Sequence, residues 1–160
     1  MVIRRRCYIP DSGRIPKKTP MTKHASGTFE VKMLPQTDQD LGGVIVDSGT
    51  VSRMSLDKHF DGDLQATSRG QMLAVHGDVK GSAGYVAMER VIGALHGRSG
   101  SFALQHSGTM TRGAPQLVIT VVPDSGTAEL IGLAGTLAIN IVDGKHFYEF
   151  DYTLEDELSQ

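Results

Sequence analysis

The sequence contains a single cysteine, Cys7, and no long apolar run. One cysteine cannot form an intrachain disulfide, so we expect a reducing compartment, the cytoplasm. No segment approaches the ~18 apolar residues that a membrane-spanning helix needs. Arg4, Arg5 and Arg6 would suit the start of a signal peptide, but the apolar stretch that must follow them is missing. We therefore expect a cytoplasmic protein with no membrane partner.

Motifs of common catalytic and binding sites are also missing. There is no GxSxG nucleophile turn, no P-loop and no GxGxxG after a strand. The six histidines form neither an HExxH motif nor a pair two residues apart on a strand, so we expect no metal and no cofactor. Residues 1–20 hold six of the sixteen basic residues and one of the eighteen acidic ones, which leaves ten basic and seventeen acidic residues, a charge of −7, on the rest. This acidic body argues against nucleic-acid binding.

The length and composition favour one globular domain. With 160 residues, 39% hydrophobic and 21% charged, the chain can bury a single core. Residues 1–20 are basic, contain three prolines and have no strand pattern, so they are predicted to be a disordered leader that folding does not require. Residues 21–160 are predicted to form the domain.

Alternating apolar and polar residues, many glycines and little helical periodicity favour an all-β fold. Asp61-Gly62 and Asp143-Gly144 are typical of two-residue hairpin turns. The apolar run 116–122 is typical of a strand buried on both sides. The predicted strands cover 28–34, 53–60, 63–73, the two arms of a hairpin over 82–110, 116–122, 136–142 and 146–154, with a short apolar run at 44–46 and one helical turn in 127–133. About eight strands with short antiparallel connections predict a single antiparallel β-barrel.

The hairpin over residues 82–110 carries the most informative pattern. Its turn contains two residues (Gly97-Arg98) or four (Gly97 to Gly100), and either length keeps the alternating apolar positions of both strands on one face. Glu89 and His106 are the ionisable residues on that face, opposite or diagonal to each other. They are either a structural ion pair or part of a ligand site.

Two other motifs have simpler explanations. Asp-Ser-Gly-Thr occurs at 47–50 and 124–127 and resembles the catalytic motif of an aspartic protease, but these residues also form ordinary turns, which we favour. The segment 57–62 begins like a calcium loop, but His59 occupies a ligand position and Ser68 stands where a bidentate glutamate belongs. A hairpin turn explains this segment better.

Three segments, GYVAMERVIGALHGRSGSFALQHSGTM, VVPDSGTAELIGLAGTLAINI and GKHFYEFDYTL, closely resemble an uncharacterised bacterial family, domain of unknown function 3224. The resemblance extends from about residue 25 to residue 154, with Ala128 where the family usually has glycine. It implies a barrel similar to those of allene oxide cyclase and the dirigent proteins, which handle apolar small molecules in the lumen. It implies no particular activity.

We therefore predict a barrel whose lumen binds a small apolar molecule, with Glu89 and His106 as its polar anchor. One alternative is a cyclase or isomerase in which Glu89, with a raised pKa, is the general acid or base and His106 a further catalytic candidate. The other is a structural homo-oligomer with a plugged lumen. Whichever function holds, we expect a homo-oligomer, in the first place a dimer, because Val86, Met88 and Ile92 on the outer face suggest an interface. The predicted lining residues are Tyr85, Glu89, Phe102, Leu104, His106, Leu137, Ile139, Tyr148 and Phe150.

Overall fold

The structure, a computed structural model, describes residues 21–36 and 51–154. In this part of the chain eight antiparallel strands form one closed barrel in which each strand neighbours the next and β1 pairs with β8. The all-β prediction and the strand number are confirmed; the likeness to allene oxide cyclase stays a prediction. The strands are β1 Lys23–Pro35, β2 Ser52–Gly62, β3 Leu64–His76, β4 Ala83–Leu95, β5 Arg98–Thr111, β6 Ala114–Val121, β7 Ala134–Val142 and β8 Lys145–Thr153, with one 3-10 turn at Ala128–Leu130.

Three sequence predictions fall outside the described residues. They are the leader over 1–20, the apolar run at 44–46 and the Asp-Ser-Gly-Thr turn at 47–50. The helical turn expected in 127–133 is confirmed by the 3-10 turn.

The two-residue turns are of the type that matches the twist of the flanking strands. Asp143-Gly144 is confirmed, because Val142 pairs with Lys145 and both turn residues have positive φ, 51° and 76°. The central hairpin turns at His96-Gly97 instead of Gly97-Arg98. The loop still contains two residues, so the facing predicted for β4 and β5 is unchanged.

The prediction of a two-residue turn at Asp61-Gly62 is wrong. Both residues belong to β2 and pair with Thr28 and Gly27 of β1. The chain reverses around Asp63 instead, whose carboxylate accepts a hydrogen bond of 2.9 Å from the backbone N–H of Ser26. The segment that resembled a calcium loop is therefore part of a strand.

The prediction that 116–122 is buried on both sides is also wrong. Leu117 and Val118 are exposed, and only the later residues Ile119 and Val121 are buried. The physical reason is that Val118 lies on the outer face of the barrel, in register with Ser107, and that Leu117 lies near the end of the β5–β6 pair where the inward Met110 is also exposed. β6 pairs with β7 at a single position, Thr120 with Thr136. Beyond that position the two strands separate and leave a cleft of about 330 Å³ in the barrel wall.

Apolar side chains fill one end of the barrel, which we call the closed end. Phe102 and Phe150 are stacked with centroids 5.9 Å apart and are 1% and 0% exposed, whereas Gln105 is exposed, as the alternation predicts. The Tyr148 hydroxyl accepts a hydrogen bond of 2.8 Å from the backbone N–H of Leu64. Leu130 and Leu133, after β6, cover this end and are buried.

The other end, which we call the mouth, is defined by the inward positions Met33, Met54, Met72, Tyr85, Met110 and Ile141. Their exposure distinguishes the two ends of the lumen, since Met33, Met110 and Ile141 are 49%, 42% and 63% exposed although they continue the inward face. The lumen is therefore packed at the closed end, whereas inward side chains at the mouth are exposed to solvent. On the outer face of β4, Val86, Met88 and Ile92 are exposed, and the expected contact between copies there stays a prediction.

Candidate functional site

Four buried polar side chains from four consecutive strands meet in the middle of the lumen. Glu89 of β4 accepts hydrogen bonds from Lys58 Nζ (2.8 Å to Oε1), His106 Nε2 (2.8 Å to Oε1) and Ser68 Oγ (2.7 Å to Oε2). The side chains of Lys58, Glu89 and His106 are 6%, 0% and 4% exposed. We call these four residues the polar layer, because apolar side chains of the closed end lie on one side of it and the mouth on the other.

Strand register and one glycine bring these side chains together. Lys58 pairs directly with Ser68, whereas Glu89 lies opposite Gly70 and His106 lies opposite Ala87. The small partners leave room for the larger side chains to cross the lumen. A Cβ at Gly70 would lie 2.6 Å from the Cβ of Glu89, so no side chain fits there without moving β4.

The charges of the polar layer are matched within the lumen. Burial of Glu89 is the largest single influence on its pKa, and it favours the neutral acid. The hydrogen bond from His106, the charge and hydrogen bond of Lys58, and the hydrogen bond from Ser68 together outweigh burial. The pKa of Glu89 is lowered from 4.5 to about 2. Lys58 Nζ also lies 5.2 Å and 5.8 Å from the ring centroids of Phe29 and Phe60, which stabilise the buried cation.

The ionised carboxylate fixes the orientation of His106. A carboxylate only accepts hydrogen bonds, so Nε2 must carry the proton that it shares with Glu89. In the neutral ring the other nitrogen, Nδ1, is then an acceptor. Nδ1 has no hydrogen-bond partner among the described residues, and it keeps some contact with solvent.

Tyr85 lies next to this imidazole on the mouth side. Its ring covers Gly108, where a Cβ would lie 2.8 Å from the ring atoms Cδ1 and Cζ. Burial, together with the negative charge of Glu89, raises the pKa of the half-buried phenol above its usual 10.0. The hydroxyl makes no hydrogen bond within the described part of the chain, so it is a neutral donor at ordinary pH.

The structure brings together most of the residues that the sequence singled out. Glu89 and His106 face inward and contact each other, and Tyr85 is their neighbour. The remaining predicted lining residues also face inward, but they divide between the packed closed end and the wall beside the cleft. At the closed end lie Phe102, Leu104, Tyr148 and Phe150; beside the cleft lie Leu137 and the half-buried Ile139.

Sequence reasoning missed Lys58 and Ser68. Both lie at inward positions of alternating strands, between Leu56 and Phe60 and between Ala66 and Gly70. That alternation was a usable signal within the predicted strand 53–60, but the overlapping segment 57–62 was interpreted as a hairpin turn and no inward position was assigned to Lys58. A glutamate with a raised pKa, which the enzymatic alternative required, is not what these neighbours produce.

Other features of the described structure point less clearly to a function. A depression of about 620 Å³ lies on the outer face and includes Arg90, Ser101 and Thr127, which are hydrogen-bonded among themselves. Residues 21–36 and 51–154 contain no group of three or more histidine, cysteine or acidic side chains placed to hold a metal ion. No helix in the described chain has the length and hydropathy needed to cross a membrane.

Comparisons with known proteins give the following matches. The profile of a family described as "protein of unknown function (DUF3224)" matches residues 25–152. A crystal structure of a protein of unknown function from that family, from Shewanella oneidensis MR-1, is 48% identical in sequence. It superposes with a TM-score of 0.77, and the match covers 85% of this chain and 100% of that one. No curated protein matches the chain.

Proposed function

Since the chain belongs to the DUF3224 family, whose description assigns no function, we propose from the site geometry that the barrel binds a small, largely apolar molecule in the mouth half of its lumen. The observation that carries this proposal is the polar layer. A buried ion pair costs desolvation free energy that apolar side chains of similar size would avoid. A self-contained core does not need such a layer, whereas a ligand with one polar end does.

The mouth supplies the apolar part of this site. Four methionines, whose thioether side chains adapt to ligands of different shapes, occupy inward positions there. Because aromatic side chains already fill the closed end, we place the ligand between the methionines and the polar layer. Phe102 and Phe150, which were predicted to contact the ligand, then pack on the closed-end side of the polar layer instead.

The two alternatives make different predictions. A structural barrel with a plugged lumen is supported by the packed closed end, and it predicts no saturable binding. A cyclase or isomerase would bind the same molecule and also convert it. The lowered pKa of Glu89 makes that residue an ionised positioning group, which leaves His106 as the proton-transfer candidate of that alternative.

Isothermal titration calorimetry with 2-naphthol tests the proposal. We expect saturable binding with a stoichiometry of one per chain. Met72→Trp, which fills the mouth from an inward position, should weaken binding at least roughly tenfold by steric exclusion. Leu73→Trp, its outward neighbour on the same strand, should leave the affinity unchanged. Absence of saturable binding, or equal effects of both substitutions, would overturn a lumen site.

A further inference from the structure

We propose that the molecule bound in the lumen carries a hydroxyl group, as an alcohol or a phenol, that donates a hydrogen bond to Nδ1 of His106 and accepts one from the Tyr85 hydroxyl. This inference rests on the proposed function and names its ligand class. It follows from the hydrogen-bonding capacity that the polar layer leaves unused.

The acceptor half of this site is set by Glu89. Its carboxylate accepts a hydrogen bond from Nε2 of His106, and the tautomer that carries its proton on Nε2 has the lone pair of the ring at Nδ1. His106 is 3% exposed, and this nitrogen has no partner among the described residues. Since Nδ1 has no protein partner and is not fully sealed from solvent, it is available to a hydrogen-bond donor on the ligand.

The donor half is Tyr85. In the register of β4 and β5 this residue pairs with Gly108, and His106 is the next inward residue along β5, about 7 Å away. The phenol ring leans over Gly108, so it is the inward neighbour of the imidazole. Its pKa is raised, which keeps its proton in place as a donor.

Only a group that both donates and accepts satisfies the two partners together. An ether or a ketone accepts from Tyr85 but has nothing to donate to Nδ1. A carboxylate likewise has no proton to give to Nδ1. An ammonium donates but cannot accept. A hydroxyl does both, and an apolar body attached to it fits the methionines of the mouth.

A matched pair of probes tests this assignment on the full chain. The probe 2-naphthol has the hydroxyl, and 2-methoxynaphthalene keeps the rings and the oxygen but cannot donate. By calorimetry we expect 2-naphthol to bind roughly tenfold more tightly, the effect of one buried hydrogen bond. Tyr85→Phe should weaken 2-naphthol binding about threefold to tenfold and change the affinity for the ether less than that for the naphthol.

His106→Gln is the more decisive variant. A glutamine amide can still donate to Glu89 from the position of Nε2, but its acceptor is the carbonyl oxygen, which does not take the position of Nδ1. The preference for 2-naphthol should therefore disappear, while Gln105→Ala, at the outward neighbour of His106, should keep it. If His106→Gln does not fold, Tyr85→Phe decides the question alone, because its ring retains the packing against Gly108.

The outcomes separate this inference from the proposed function. Equal affinity of the two probes for the parent protein would overturn the hydroxyl assignment and leave a lumen site in place. A preference that survives both Tyr85→Phe and His106→Gln would also overturn it, because the hydroxyl would then bind elsewhere. Absence of binding by either probe would overturn both.

Discussion

The ionisation of Glu89 should make the stability of the barrel depend on pH in acid. Its pKa lies near 2 in the folded protein and 4.5 in a free side chain. Each pKa unit corresponds to about 1.4 kcal/mol, so the folded environment of the carboxylate contributes on the order of 3 kcal/mol to the free energy of unfolding. Because the folded pKa is the lower one, this contribution is complete above pH 4.5 and is lost as the pH falls towards 2.

Urea unfolding followed by far-UV circular dichroism measures this effect, since the chain has no tryptophan for fluorescence. Between pH 6 and pH 2.5 the parent protein should lose most of the contribution that Glu89 makes to its free energy of unfolding. Glu89→Gln removes the titrating group and should show a pH dependence smaller by about the same amount. Identical pH profiles for the parent and this variant would refute the ionised, three-fold hydrogen-bonded carboxylate.

The same variant tests the buried ion pair at neutral pH. Glu89→Gln leaves the charge of Lys58 without its counter-ion and should cost about 3–5 kcal/mol at pH 7. Combining it with Lys58→Met removes the stranded charge, so the double variant should be at least ~1 kcal/mol more stable than the two single effects added together. The surface change Glu30→Gln on β1 is the control and should stay within about 0.5 kcal/mol.

Three further outcomes are expected from thermal or urea unfolding. Phe102→Ala should cost about 3–5 kcal/mol as a core truncation, whereas Gln105→Ala should stay within about 0.5 kcal/mol; reversed magnitudes would mean that the facing of β5 is wrong. Gly108→Ala should cost roughly 1–3 kcal/mol, because the new methyl group displaces the Tyr85 ring, and Tyr85→Ala in the same chain should relieve part of that cost. A chain that begins at Met21 should melt within about 5 °C of the full chain, and a larger drop would show that residues 1–20 pack on the barrel.

Alternation made the facing of the central hairpin predictable from the sequence. The turn position was wrong by one residue, yet Glu89 and His106 still share the inward face because the loop contains two residues in either case. A positive-φ residue such as His96 at the turn gives a much weaker sequence signal than glycine does. The prediction of which side chains of β4 and β5 face inward was therefore correct, although the predicted turn position was not.

Long-range pairing was less accessible to sequence reasoning. The apolar run of β6 indicated burial on both faces, but its outer face is exposed because it forms part of the outer surface of the barrel, a tertiary feature that no local pattern encodes. Lys58 was missed for a related reason. A lysine between Asp57 and His59, shortly before Asp61-Gly62, is typical of a surface segment, and its burial is explained by long-range contacts, above all the charge of Glu89 two strands away.

A crystal structure of the protein with 2-naphthol would show whether the ligand reaches the polar layer. We expect the naphthalene rings to lie among the mouth methionines, with the oxygen about 2.6–3.2 Å from both His106 Nδ1 and the Tyr85 hydroxyl, and with the bonds of Glu89 to Lys58, Ser68 and His106 intact. Rings bound on the outer wall of the barrel, or in the cleft between β6 and β7 with no contact to the polar layer, would contradict this expectation.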